Sequence, residues 1–204
     1  MRGPKAADGE RWFALDLANS NGCAACGGGD ALASVAEARR WVGRRLPGEA
    51  APRNLEELRS LRHFRNLLRQ LMQAGADRGP PARTSLDRVN RAAADLPSYP
   101  ELGWSHGRWT LTERGRDPVT ARRLEALAAR SAITLMAGPR PAAIRRCAGP
   151  GCTHFLAART RQQRWCSPTG CGNRVRVQRH YRKLRSLRRS GAPRTRPRRL
   201  ERQA

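Results

Sequence analysis

The chain has 204 residues, of which 41 are Lys or Arg and 16 are Asp or Glu, for a net charge of +25. That length fits one ordinary domain plus a small appended one, and with 39% apolar but only 5% aromatic residues the core must rest on Leu, Ala and Val. No apolar run approaches the roughly 18–20 residues of a membrane span, and Asp8, Glu10 and Asp16 fall where a signal peptide is apolar. The expectation is a cytoplasmic protein, neither secreted nor membrane-bound.

Residues 1–11 read as a frayed polar start, followed by the apolar run Trp12 to Asn19 and the breaker Gly27-Gly28-Gly29. Asp30 is placed to cap a helix over about 31–46, with Leu32, Val35, Arg39, Val42 and Leu46 as its spaced face. Asn54 caps the clearest helix, whose stripe is Leu55, Leu58, Leu61, Leu68, Leu71 and Met72, with Glu56 and Glu57 favouring the dipole. A further helix over about 84–96 presents Leu86, Val89, Ala93 and Leu96. Two short strands around Ser105-His106-Gly107 predict a β-hairpin. Its Trp104 and Trp109 are read as core residues, with a ligand pocket as the alternative. Asp117-Pro118 then starts a helix running to about Ala137, with Leu124, Leu127, Ser131 and Leu135 facing inward.

Gly138-Pro139-Arg140-Pro141 marks a boundary, because the charge steps up there. Residues 140–204 carry +18, and residues 1–139 only +7. A GC-rich genome explains why 39 of the 41 cations are arginine, but a uniform bias does not make such a step. A polyanionic partner does, and nucleic acid is the commonest one. Residues 190–204, rich in Arg and Pro, read as a disordered basic tail.

The same third of the chain holds Cys147, Cys152, Cys166 and Cys171 in the pattern C-x4-C-x13-C-x4-C. Gly and Pro between the members of each pair permit tight reversals that aim two thiolates at one ion, and two such turns make a closed tetrahedral site for structural zinc. A reducing compartment disfavours two disulfides here. A module of this size has too few large apolar side chains to fold on burial alone, and metal binding supplies on the order of 10 kcal/mol in isolated zinc-finger peptides. His154 is expected at a strand or rim position, outside the ligand set. Asn173 to about Arg189 reads as a helix with Val177, Tyr181, Leu184 and Leu187 on one side.

Cys171-Gly172-Asn173-Arg174, preceded by Arg164-Trp165-Cys166 and led by Arg145-Arg146-Cys147, resembles the CGNR zinc-finger family. Residues 1–139, with Leu15-Asp16-Leu17-Ala18-Asn19 near the start, are similar to the ABATE domain that usually precedes this finger. The resemblance implies a bacterial, stress-induced transcription regulator.

The expected architecture is therefore mainly α with a short β-hairpin: a helical regulatory domain over 1–139, a zinc finger with a basic helix over 140–189, and the tail over 190–204. Arg159, Arg161, Arg164, Arg174, Arg176, Arg179, Arg182, Lys183, Arg185, Arg188 and Arg189 are the candidate nucleic-acid contacts, since the guanidinium fork suits phosphate. Asn173 and Trp165 are expected to brace the metal site. DNA is the expected partner, placing the protein at the nucleoid, and RNA or the ribosome is the alternative. A homodimer and a small-molecule ligand of the N-terminal domain stay open. No enzymatic role is expected, because His63 and His106 have no recognisable catalytic partner. Cys23-Ala24-Ala25-Cys26 has redox or metal spacing, but the glycines after it disfavour a helix there. It is read as a pair of incidental thiols, with a redox sensor as the alternative and metal capture or catalysis last.

Overall fold

The computed structural model describes residues 12–96, 98–115, 120–138 and 143–189. The polar start, the Asp117-Pro118 cap, most of the proline linker and the basic tail lie outside the described residues. The elements run α1 (Phe13–Ala18), α2 (Val35–Arg45), α3 (Leu55–Asp77), α4 (Arg83–Ala94), β1 (Ser98–Ser105), β2 (Arg108–Gly115), α5 (Thr120–Ala137), β3 (Ala143–Arg146), β4 (Phe155–Ala158) and α6 (Asn173–Arg189). The fold is mainly helical with two separate antiparallel hairpins, β1–β2 and β3–β4.

The 23-residue α3 is the axis of the molecule, packed by α1, α2, α4, α5 and β3. Asn54 caps it as expected, its Oδ1 accepting from the Glu57 amide at 2.9 Å. Leu58, Leu61, Leu68, Leu71 and Met72 are buried on it, joined by Phe64 and Arg65, whereas Leu55 is exposed in the first turn. One expected cap and two expected faces are corrected by local geometry. Ser34, not Asp30, caps α2, accepting from the Glu37 amide at 3.2 Å. The buried face of α2 is Ala38, Trp41 and Val42, and Arg39 points to solvent. On α4 the buried positions are Ser85, Val89 and Ala92, with Leu86 turned outward.

Two ion pairs each have one partner buried in the helical body. Arg65, only 6% exposed, is bidentate to Asp30, its Nη2 donating to Oδ2 at 3.0 Å. Glu125, 2% exposed, accepts from Ser60 Oγ and Arg88 Nη2, both at 2.6 Å. Each pair offsets most of the cost of burying its charge, although Arg65 Nε is buried without a hydrogen-bond partner.

The β1–β2 hairpin closes through His106 and Gly107, both at positive φ, 52° and 73°, as a two-residue turn of this twist requires. Trp104 pairs opposite Trp109 and Leu102 opposite Leu111, and the indole rings meet edge to face at 5.0 Å. All four side chains are exposed. The core reading of the two tryptophans is therefore corrected. Their strand alternation is regular, but no layer covers that face among the described residues.

The core does not stop at the linker. Ile144 of β3 and Phe155 of β4 belong to the same buried cluster as Leu17, Leu68 and Leu135. The small C-terminal module is thus docked on the helical body by shared apolar packing.

Candidate metal centre and nucleic-acid interface

The β3–β4 hairpin delivers the first cysteine pair. Arg146 pairs opposite Phe155, so Cys147 leaves β3 just as the chain returns through Cys152 toward β4. Between them Gly151 adopts φ 68°, the left-handed conformation that tightens the knuckle. The second pair is set by Ser167, whose Oγ accepts from the Gly170 amide at 3.0 Å, and by Gly172 N–H donating back to the Ser167 carbonyl at 2.9 Å. That turn runs directly into α6. Its geometry aims Cys166 and Cys171 at the first pair.

The four Sγ atoms all lie within 4.8 Å of one another, with Cys152–Cys166 at 3.8 Å and Cys166–Cys171 at 3.7 Å. Tetrahedral zinc–sulfur bonds place neighbouring sulfurs about 3.8 Å apart, so the donor set fits a closed four-thiolate site. None of the four forms a disulfide. Backbone amides already point at the sulfurs: Gly149 and Cys166 N–H both donate to Cys147 Sγ, at 3.4 and 3.3 Å.

The electrostatics agree. Burial raises the Cys147 thiol, but those two amides bring it net below its ordinary value. Burial, together with the charge on Cys147, pushes Cys152 up to about 11 and drives Cys166 higher still. Four thiolates can share this pocket only around a cation. His154 sits half-buried beside the site and outside the four-sulfur group, its Nε2 without a hydrogen-bond partner. Burial and the Arg69 guanidinium lower its pKa, against a hydrogen bond to the Gly22 carbonyl.

Trp165 packs on the cysteine cluster. Asn173 reaches the cysteine turn through its backbone, its N–H donating to the Gly170 carbonyl. Its side chain is exposed in the first turn of α6, and Arg174 does the bracing, with Nη2 donating to the Pro150 carbonyl at 3.1 Å and to Cys171 Sγ at 3.5 Å. Arg176 likewise caps the Pro168 carbonyl at 3.1 Å. These two expected nucleic-acid contacts are thus engaged in holding the knuckle that launches the helix. Beyond them, Arg179, Arg182, Lys183 and Arg185 are exposed with no ion-pair partner among the described residues. The side chains of Arg188 and Arg189 lie outside the described residues. Arg159, Arg161 and Arg164 are exposed on the loop between β4 and Trp165. The apolar stripe of α6 is also exposed, with Val177, Tyr181, Leu184 and Leu187 each 40–60% accessible.

Sequence reasoning missed how the module is held on the body. The Asn19 side chain bonds both backbone groups of Phe155, and Arg69 Nη1 and Nη2 tie Ala18 and Asn21 to Thr153, with the guanidinium over the Phe155 ring at 5.2 Å. It also missed that Cys23 and Cys26, here a disulfide, lie against the metal cluster. A short polar motif before a glycine-rich turn is the only signal the sequence offers for either. Among the described residues, no helix is long and apolar enough to cross a membrane.

Residues 143–183 match the CGNR zinc finger, and residues 13–139 match the ABATE family, described as "Putative stress-induced transcription regulator". No curated protein matches the chain. With the matched residues spanning the helical body and the four-cysteine knuckle alike, the chain belongs to the ABATE family and carries a CGNR zinc finger.

Proposed function

We propose that this protein is a zinc-stabilised DNA-binding regulator, with zinc as the ion held by Cys147, Cys152, Cys166 and Cys171. The observation that carries the reading is α6. Seven arginines and one lysine lie on its 17 residues with no acid, and it is anchored at its N-terminal end by the cysteine knuckle while its remaining turns stand in solvent. A helix of about 25 Å fits the major groove, where a few side chains reach base edges and others hold phosphates. The ion supplies no chemistry in this reading. It fixes the direction in which α6 leaves the body, so the arginines are presented in a set geometry. The protein acts at the nucleoid without an enzymatic step, and the helical body senses a signal or mediates self-association, for which the exposed Leu102, Trp104, Trp109 and Leu111 face is available. Competition between duplex DNA and structured RNA of equal length, at one salt concentration, tests the partner. DNA is expected to displace labelled duplex at the lower concentration. Preferential displacement by RNA would overturn the DNA assignment.

A further inference from the structure

The loop between α1 and α2 is built to hold one disulfide against the metal cluster. Cys23 and Gly28 exchange backbone hydrogen bonds at 3.0 and 3.2 Å around a single tight turn. Gly22, at φ 77°, leaves no room for a side chain, because a Cβ there would sit 2.6 Å from the Gly29 backbone. The loop is clasped to the finger by Thr153 Oγ1, which donates to the Gly22 carbonyl at 3.2 Å. Ala25 meets Gly151 so closely that a Cβ on that glycine would lie 3.1 Å from its own.

The result is that Cys26 Sγ lies 3.5 Å from Cys152 Sγ and 3.6 Å from Cys171 Sγ, in contact with two metal ligands. Cys23, Cys26 and Cys152 form a second three-sulfur group, all within 4.8 Å. Cys26 is exposed and Cys23 is buried, so one sulfur of the pair is open to a solute and the other is sheltered. Incidental thiols do not explain a pair held rigidly at this distance from the ligands.

We propose that Cys23 and Cys26 are a redox-modification site that takes up a peroxide-class oxidant and passes the oxidation to the finger ligand Cys152. The inference rests on the metal-holding role of the four cysteines and is independent of DNA binding. In the reduced protein the Cys26 thiolate attacks a peroxide oxygen. An S–O bond forms, the O–O bond breaks, and the departing hydroxide takes a proton to become water. The Cys23 thiol then attacks the sulfenic sulfur, forming the disulfide and expelling a second water, so two thiols are oxidised as one peroxide is reduced. Next, the Cys152 thiolate attacks Cys26 Sγ. The Cys26–Cys152 bond forms, the Cys23–Cys26 bond breaks, and the electron pair leaves on Cys23 as thiolate, with no net redox change. Cys152 is the nearer of the two neighbouring ligands, and Arg174 Nη2 already donates to Cys171 Sγ at 3.5 Å, so Cys152 is the ligand open to this attack. The Cys152 sulfur is thereby withdrawn from the set that would hold the metal, and the knuckle that launches α6 is released.

The test uses the full chain, reduced and loaded with zinc, then treated with hydrogen peroxide in the presence of a chromogenic zinc chelator. The untreated protein and the Cys23→Ser/Cys26→Ser variant are each expected to hold one zinc, because neither serine position is a finger ligand. After peroxide, zinc release from the double variant is expected to be about tenfold slower than from the native chain. In the single variant Cys23→Ser, the Cys26 sulfenic acid faces Cys152 at 3.5 Å and Cys171, held by Arg174, at 3.6 Å, and tandem mass spectrometry is expected to find a trapped Cys26–Cys152 disulfide. Equal release rates in native and double-variant protein, or absence of the Cys26–Cys152 link, would overturn the proposal. A reduced native chain without zinc would overturn the metal reading along with it.

Discussion

Asn19 pairs with Phe155 as one strand residue pairs with another. The Phe155 N–H donates to Asn19 Oδ1 at 2.8 Å, and Asn19 Nδ2 donates to the Phe155 carbonyl at 2.9 Å. A side chain from the end of α1 thereby satisfies the backbone of β4 across 136 residues of sequence. Because Phe155 is also a core residue, the bond fixes where the finger sits on the body. Asn19→Ala leaves both Phe155 groups without their partner in a half-buried place, at an expected cost of about 2 kcal/mol. Chemical denaturation checks the cost, and hydrogen exchange should locate faster exchange at the Phe155 amide while zinc content stays unchanged.

The shared core changes what loss of metal does. Cys166→Ser is expected to abolish stoichiometric zinc and unfold residues 145–189. Ile144 and Phe155 then no longer cover the body, so the helical domain should survive at a lower melting temperature. Metal analysis with thermal circular dichroism checks this. An unaltered metal content and melting curve would contradict it.

Arg174 and Arg182 carry the same charge on the same helix and should behave differently. Arg174 bonds Pro150 and Cys171, whereas Arg182 is exposed. Arg174→Ala should weaken zinc retention in a chelator competition. Arg182→Ala should leave zinc unchanged and reduce the salt dependence of DNA binding by about one unit of log–log slope.

The Asp30–Arg65 pair makes stability depend on acid. Burial raises the Asp30 carboxyl, but the Arg65 hydrogen bonds and the Leu32 amide outweigh it and hold the pKa below its ordinary value of 3.8. A carboxyl lowered on folding contributes stability above its unfolded value, and that contribution is lost as pH falls through the folded one. Asp30→Ala should therefore cost about 3 kcal/mol at pH 7, since it strands the buried Arg65, and the difference from the native chain should shrink below about pH 4. Urea denaturation at several pH values checks both the size and the direction.

The metal site was legible because its information is local. Four cysteines at fixed spacing, with Gly and Pro between them, specify two knuckles whatever surrounds them, and α6 follows from its own sequence and the Cys171 turn. The docking was not legible. Asn19, Arg69 and the Cys23–Cys26 loop act through residues more than 80 positions away, and no periodicity encodes a partner at that distance. Exposure was misread for a related reason. Strand alternation puts Trp104 and Trp109 on one face, but it does not say whether another layer covers them. The role of Arg174 turned on side-chain direction: two residues on one helix with equal charge differ only in whether a carbonyl and a thiolate stand within reach.

If a metal-held basic helix grips duplex DNA through its arginines, as proposed, the grip depends on both salt and zinc. Fluorescence anisotropy of a labelled duplex against salt concentration, with and without prior removal of zinc, tests it most directly. With about six arginines on phosphates, the log–log slope should be about −5, and binding should weaken sharply once zinc is stripped and α6 loses its anchor. A slope near zero, or the same affinity with zinc removed, would rule out a metal-anchored arginine helix as the DNA-binding element.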